Sequence, residues 1–141
     1  MTDTRLNGVI RAFEAGKPAF TCFSKVDKLT AQELTDAPYD GIVFEMEHNP
    51  YDVGGLGDAL QYMLNRKKIA ESGAVAPSVT PLARIPANGA EMNQFQAKQV
   101  LDRGVYGVIT PHVSTVEQAY NMVASCRYAK PTGDALYEPK G

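Results

Sequence analysis

The chain has 141 residues, of which 44% are hydrophobic and 21% charged, with a formal net charge of −2. Those figures fit one ordinary globular domain and exclude a disordered tract, a fibrous repeat and a basic nucleic-acid binder. No apolar run reaches the roughly 20 residues of a membrane span, and the opening Met1-Thr2-Asp3-Thr4-Arg5 lacks the apolar core of a secretory leader. Cys22 and Cys126 make neither a disulfide framework nor a CxxC pair and read as buried thiols. The expectation is a cytoplasmic domain with a real core and neither nucleic acid nor membrane as a partner.

In chain order, Leu6, Val9, Ile10 and Phe13 share one face of a predicted first helix. Gly16 offers it a left-handed stop, and Pro18 prevents its continuation. Residues 19–23 then read as a strand. Thr30-Ala31-Gln32-Glu33 reads as a capping box opening a short helix, with Leu29 and Leu34 as its hydrophobic staple. Gly41-Ile42-Val43-Phe44 is a second strand, apolar throughout as strands buried on both faces are. A helix with Leu56, Leu60, Met63 and Leu64 inward follows, and Arg66 to Pro77 reads as its end plus a loop.

Val79 to Ile85 is the third strand, with Pro81 awkward inside it. Asn88 and Glu91 fit the start of the next helix, whose stripe of Met92, Phe95, Val100 and Leu101 is imperfect and which closes before Gly104. Val105 to Thr110 is the fourth strand. Ser114-Thr115-Val116-Glu117 reads as another capping box, and Val116, Ala119, Val123 and Cys126 as the inward face of the last helix. Strands alternating with helices predict a parallel sheet with right-handed crossovers. One domain spans residues 1–141, with 130–141 an irregular tail rich in Pro and Gly.

Reactive side chains gather at the carboxyl ends of these strands, where α/β folds place their sites. Glu45, Glu47 and His48 follow the second strand, Arg84 closes the third, and Pro111 and His112 follow the fourth. His is the side chain suited to proton transfer near neutral pH, yet a loop His is most often merely solvated. Glu45 and Glu47 are read as one facing the axis and the other the wall, and are either a cation site or solvated carboxylates. Arg84 is equally a structural ion-pair partner, and His112 after a proline reads as a loop residue. Asp102 near a helix C-terminus opposes the helix dipole, which points to some other use.

Four segments in series resemble the HpcH/HpaI aldolase family. Glu45-Met46-Glu47-His48-Asn49-Pro50 resembles its D-G-E-H segment, and Arg84-Ile85-Pro86 its Arg–apolar–Pro strand end. Lys98-Gln99-Val100-Leu101-Asp102-Arg103-Gly104 and the strand ending at Pro111 resemble its K-x-x-L-D-x-G block; Arg127-Tyr128 with Pro131 and Gly133 resembles the R-Y-P-P-x-G stretch that follows. The resemblance implies the N-terminal half of a (β/α)8 TIM barrel. The implied enzyme is a lyase that cleaves a 4-hydroxy-2-oxo acid to pyruvate and an aldehyde with a divalent metal, Mg²⁺ or Mn²⁺. It assigns His48 as acid/base, Asp102 as the group orienting it, and Arg84 as holder of the oxo acid. Glu47 would hydrogen-bond a metal-bound water, and Glu45, Pro111 and His112 would join it around substrate or metal water.

Two departures accompany the resemblance. Glu45 stands where the family has Asp, and the Arg66–Pro77 and Arg84–Asp102 spacers are long. The family's direct metal ligands, a Glu and an Asp, come from a fifth and a sixth strand. The expectation is therefore a half that is inactive until a homo-oligomer or a completing chain supplies the rest. The alternatives are a catalytically silent half-barrel that acts by association, and an acyl lyase of the citrate-lyase β type.

Overall fold

The computed structural model describes residues 5–87 and 92–128. In order the elements are α1 (Gly8–Glu14), β1 (Thr21–Ser24), α2 (Lys28–Leu34), β2 (Gly41–Glu45), α3 (Val53–Tyr62), α4 (Arg66–Ser72), β3 (Thr80–Arg84), α5 (Phe95–Arg103), β4 (Val108–Ile109) and α6 (Val116–Ser125). The strands form one parallel sheet in the order β1-β2-β3-β4. This is the predicted leading helix followed by four βα units. No helix among the described residues is long and apolar enough to cross a membrane. Asn88, Glu91 and the 130–141 tail lie outside the described residues.

Strand β2 is buried along its whole length, as its unbroken apolar run predicts. Alternate residues serve opposite faces. Ile42, Phe44 and Met46, with Ala83 and Ile85, pack under Leu56, Ala59, Leu60, Ala97 and Val100 of the helices. On the other face the register sets Phe23 beside Val43 and Val43 beside Leu82, with Glu45 beside Arg84 and Arg84 beside Ile109 one step further on. An apolar layer thus lies below a charged one, at the carboxyl end of the sheet.

Pro81 sits inside β3 without breaking it. The amides of Ala83 and Ile85 bond Gly107 and Ile109 on the β4 side, so by alternation the Pro81 nitrogen also faces that side. There β4 has not yet begun, and no ladder bond is lost. At the foot of the sheet, Gly8 N–H donates to Thr80 Oγ1 at 2.7 Å. A Cβ on Gly8 would stand 2.9 Å from the Asp40 carbonyl oxygen and 3.0 Å from Thr80 Oγ1. Gly8→Ala is expected to destabilise the fold by about 1–3 kcal/mol, the usual effect of overpacking; an unchanged thermal midpoint would show that α1 yields without loss.

Several expectations are corrected. Arg66–Ser72 is a helix of its own, capped by Asn65 and ended by Gly73 at φ 60°. It buries no residue, so it leaves no apolar period in the sequence. Helix α2 begins at Lys28 under an Asp27 cap, and Thr30 instead donates its N–H and hydroxyl to Asp27 Oδ1. Leu29 and Leu64 are exposed rather than packed inward.

The first helix also turns half of its stripe outward, with Ile10 and Phe13 exposed and Leu6 and Val9 half-buried. Phe95 is likewise exposed, while Val100 of the predicted stripe is buried, with Ala97 in place of Phe95. The capping box of α6 is Thr115 with Gln118, one residue later than read. That helix buries Met122 and Ser125, while Val116, Val123 and Cys126 face out. Among the described residues the main helix neighbour of α6 is α5, so most of its apolar stripe meets no other element there. Strand β4 covers only Val108–Ile109 of the predicted Val105 to Thr110, and among the described residues it is bonded to β3 alone.

Candidate active site

Glu45 is the last residue of β2 and Glu47 lies two further on, so the pleat turns both to one side while Met46 enters the core. This corrects the reading that one carboxylate faces the axis and the other the wall. Both meet Arg84, the last residue of β3. Arg84 Nη2 pairs with Glu45 Oε2, and Nη1 lies 3.1 Å from Glu47 Oε2. The guanidinium also stacks on Phe23 of β1, 4.5 Å from the ring centroid. Its Nε is buried with no partner among the described residues.

Glu45 also shapes the chain after β2. Its Oε1 accepts the backbone N–H groups of Glu47 at 2.7 Å and His48 at 3.2 Å, folding the segment back over the strand end. Burial pushes the Glu45 carboxyl up. The hydrogen bond from Arg84, the two backbone N–H groups and the guanidinium charge together outweigh that and hold it below its ordinary range. Arg84 is correspondingly raised, first by its hydrogen bond to Glu45, against burial and with the two carboxylate charges in support.

Around this buried pair stand two open imidazoles. The Glu47 side chain is only 6% exposed, with His48 Nε2 3.6 Å from its Oε2 and His112 Nε2 3.4 Å from its Oε1. Both rings are mostly exposed, His48 at 73% and His112 at 75%. The structure thus gathers Glu45, Glu47, His48, Arg84 and His112 at one end of the sheet. Pro111 lines a small cleft beside His112 with Thr110, Val113 and Met122. Asp102 stands apart, exposed on α5 in the cleft against α6 with Lys98, Arg127 and Tyr128. No bond among the described residues joins it to His48.

Two residues of the site carry no chemical signal in the sequence. Phe23, on which Arg84 rests, is one more aromatic in a strand. Tyr51 ties the segment after His48 to α5, its hydroxyl donating to the Gln96 carbonyl oxygen at 3.0 Å with Gln99 Oε1 3.2 Å away.

Among the described residues, no group of three or more His, Cys, Asp or Glu side chains is arranged to hold a metal ion. Glu45 and Glu47 are committed to Arg84. These residues therefore do not fit a direct ligand set.

A family model described as HpcH/HpaI aldolase/citrate lyase matches residues 20–134. The chain belongs to that family. It is 29% identical over 124 residues to a hydroxypyruvate/pyruvate aldolase of Roseobacter denitrificans, covering 87% of this chain and 43% of that protein. It is 31% identical over 118 residues to a 5-keto-4-deoxy-D-glucarate aldolase of Escherichia fergusonii, covering 83% and 40%. The crystal structure of an HpcH/HpaI aldolase/citrate lyase family protein from Burkholderia cenocepacia superposes with a TM-score of 0.67 at 23% identity, over 89% of this chain and 44% of that one. The chain thus spans less than half the length of these HpcH/HpaI proteins. Its parallel sheet and helices are the N-terminal half of their TIM barrel.

Proposed function

We propose that the whole protein is a carbon–carbon lyase that cleaves a 4-hydroxy-2-oxo acid to pyruvate and an aldehyde. This chain would supply the arginine that holds the oxo acid and the histidine that moves the proton. The observation carrying the reading is Arg84, placed on an aromatic ring between two buried carboxylates at the carboxyl ends of the strands, with His48 open to solvent beside it. The aldolase names of the relatives agree with it.

In the cleavage, the C4 hydroxyl loses its proton as the C3–C4 bond breaks. The bonding pair passes to C3 and the C2 oxygen as the enolate of pyruvate, and a proton added at C3 completes the product. His48 is the base for the hydroxyl proton. Arg84 offsets charge growing on the C2 oxygen, a role favoured where water is partly excluded. The carboxylate at hand to orient His48 is Glu47; Asp102 has that role by family resemblance alone. The divalent ion implied by the same resemblance would draw its carboxylate ligands from elsewhere in the barrel, and no step here is assigned to it.

The test is release of pyruvate from a panel of 4-hydroxy-2-oxo acids by the whole protein, with and without a chelator. Aldol cleavage that EDTA abolishes and added Mg²⁺ or Mn²⁺ restores is expected. Cleavage of a CoA thioester with no action on any hydroxy-oxo acid would move the protein to the acyl-lyase reading. The silent half-barrel has its own support in the open edges β1 and β4, which can template pairing with another chain. Aldol turnover by the 141-residue chain alone would remove it.

A further inference from the structure

His112 has two properties that a passive loop residue does not need. Its φ is +58°, and only Met92 shares a positive φ among the described non-glycine residues. Side chains avoid this conformation unless their surroundings hold them in it, and such residues cluster at functional sites. Its imidazole also reaches from the end of β4 across β3 to Glu47, which follows β2, with Nε2 3.4 Å from Oε1. The other oxygen of Glu47, Oε2, is already shared by Arg84 Nη1 at 3.1 Å and His48 Nε2 at 3.6 Å. His112 Nε2 therefore stands beside the one carboxylate oxygen that Arg84 and His48 leave over, and pairs with it when the ring is protonated.

We infer that His112 is a positioning residue for the 2-oxo-acid group of the substrate, acting by keeping Glu47 from closing both oxygens onto Arg84. The inference rests on Arg84 being the oxo-acid holder. A carboxylate freed on one side turns to the fork-to-fork geometry that guanidinium groups favour. Glu45 already occupies Nη2, so a two-point clasp by Glu47 leaves the guanidinium few N–H bonds for an incoming oxo acid. The protonated imidazole beside Oε1 draws that oxygen away from Arg84 and preserves the capacity. Because the ring is three-quarters exposed in this half of the barrel, removing it takes nothing out of the core that this half forms.

The experiment uses the whole protein, with pyruvate as a competitive probe of the oxo-acid site and steady-state cleavage alongside. In His112→Gly the left-handed backbone is relieved, and the thermal midpoint is expected to hold or rise. The inhibition constant for pyruvate and the KM for the oxo acid should both rise about tenfold, the scale of one hydrogen bond to a charged group. The kcat should change far less. His112→Gln, whose amide can still donate to Glu47, should bring both constants back to within about threefold of the parent. A residue that only shapes the loop would lower the midpoint and leave pyruvate binding alone, and that result overturns the inference. If Arg84→Ala binds pyruvate normally, the reading of the site fails first. If Arg84→Ala is impaired and His112→Gly is not, this inference alone falls.

Discussion

Arg84→Ala is expected to lower turnover of the whole protein by at least about a hundredfold, the scale seen when one preorganised oxyanion donor is removed. The same change leaves Glu45 and Glu47, both nearly buried, facing each other without their cation. The cost should depend on pH in a defined sense. In the parent, Glu45 is held below its ordinary range, so its pairing adds stability above about pH 4.3, the unfolded value, and that stability is lost as pH falls through the lowered folded value. Without Arg84, burial opposes the charged form with two of its four counterweights gone. The gap in melting temperature between parent and variant should therefore be wide at pH 7 and narrow as pH falls below about 4. An equal gap at both would mean the ion pair contributes nothing to the fold.

His48→Ala should separate chemistry from stability. The ring is mostly exposed in this half of the barrel, and substitutions at such positions leave the folding free energy of this half nearly unchanged. Turnover is expected to fall by about 10²- to 10⁴-fold, the range for a positioned acid or base, while pyruvate still binds through Arg84. Rates and pyruvate inhibition measured together decide the matter. Weakened pyruvate binding with nearly full kcat would place His48 on the substrate acid instead, and full activity would remove it from the mechanism. Glu47→Gln should fall between parent and His48→Ala if Glu47 is what orients the ring.

The sequence was most legible where one physical rule acted alone. The run Gly41 to Phe44 can be satisfied only by a strand covered on both sides, and that strand fixes where Glu45, Glu47 and His48 emerge. Gly16 and Gly104 mark left-handed helix ends as read. That Glu45 and Glu47 share a side was also available from the two-residue period, though read otherwise. Helix α4 was hidden because it rests on caps and exposes its lone large apolar residue, Ile69. The face of α6 was misjudged because periodicity tells that a stripe exists, not what lies opposite it. The contact of Arg84 with Phe23 depends on strand register, which no local pattern encodes.

The short β4 has a consequence for how the site yields. Glu45 and Arg84 end strands that are bonded on both sides, whereas His112 follows a strand of two residues that, among the described residues, is bonded to β3 alone. Free energies of local opening fall where few backbone bonds must break. In the 141-residue chain, amide exchange should accordingly be slow along β2 and β3 and faster at Val108 and Ile109. In this half of the barrel the site then has a stiff wall, the guanidinium and its carboxylates, and a second wall at His112 that is only as firm as whatever pairs with the free side of β4.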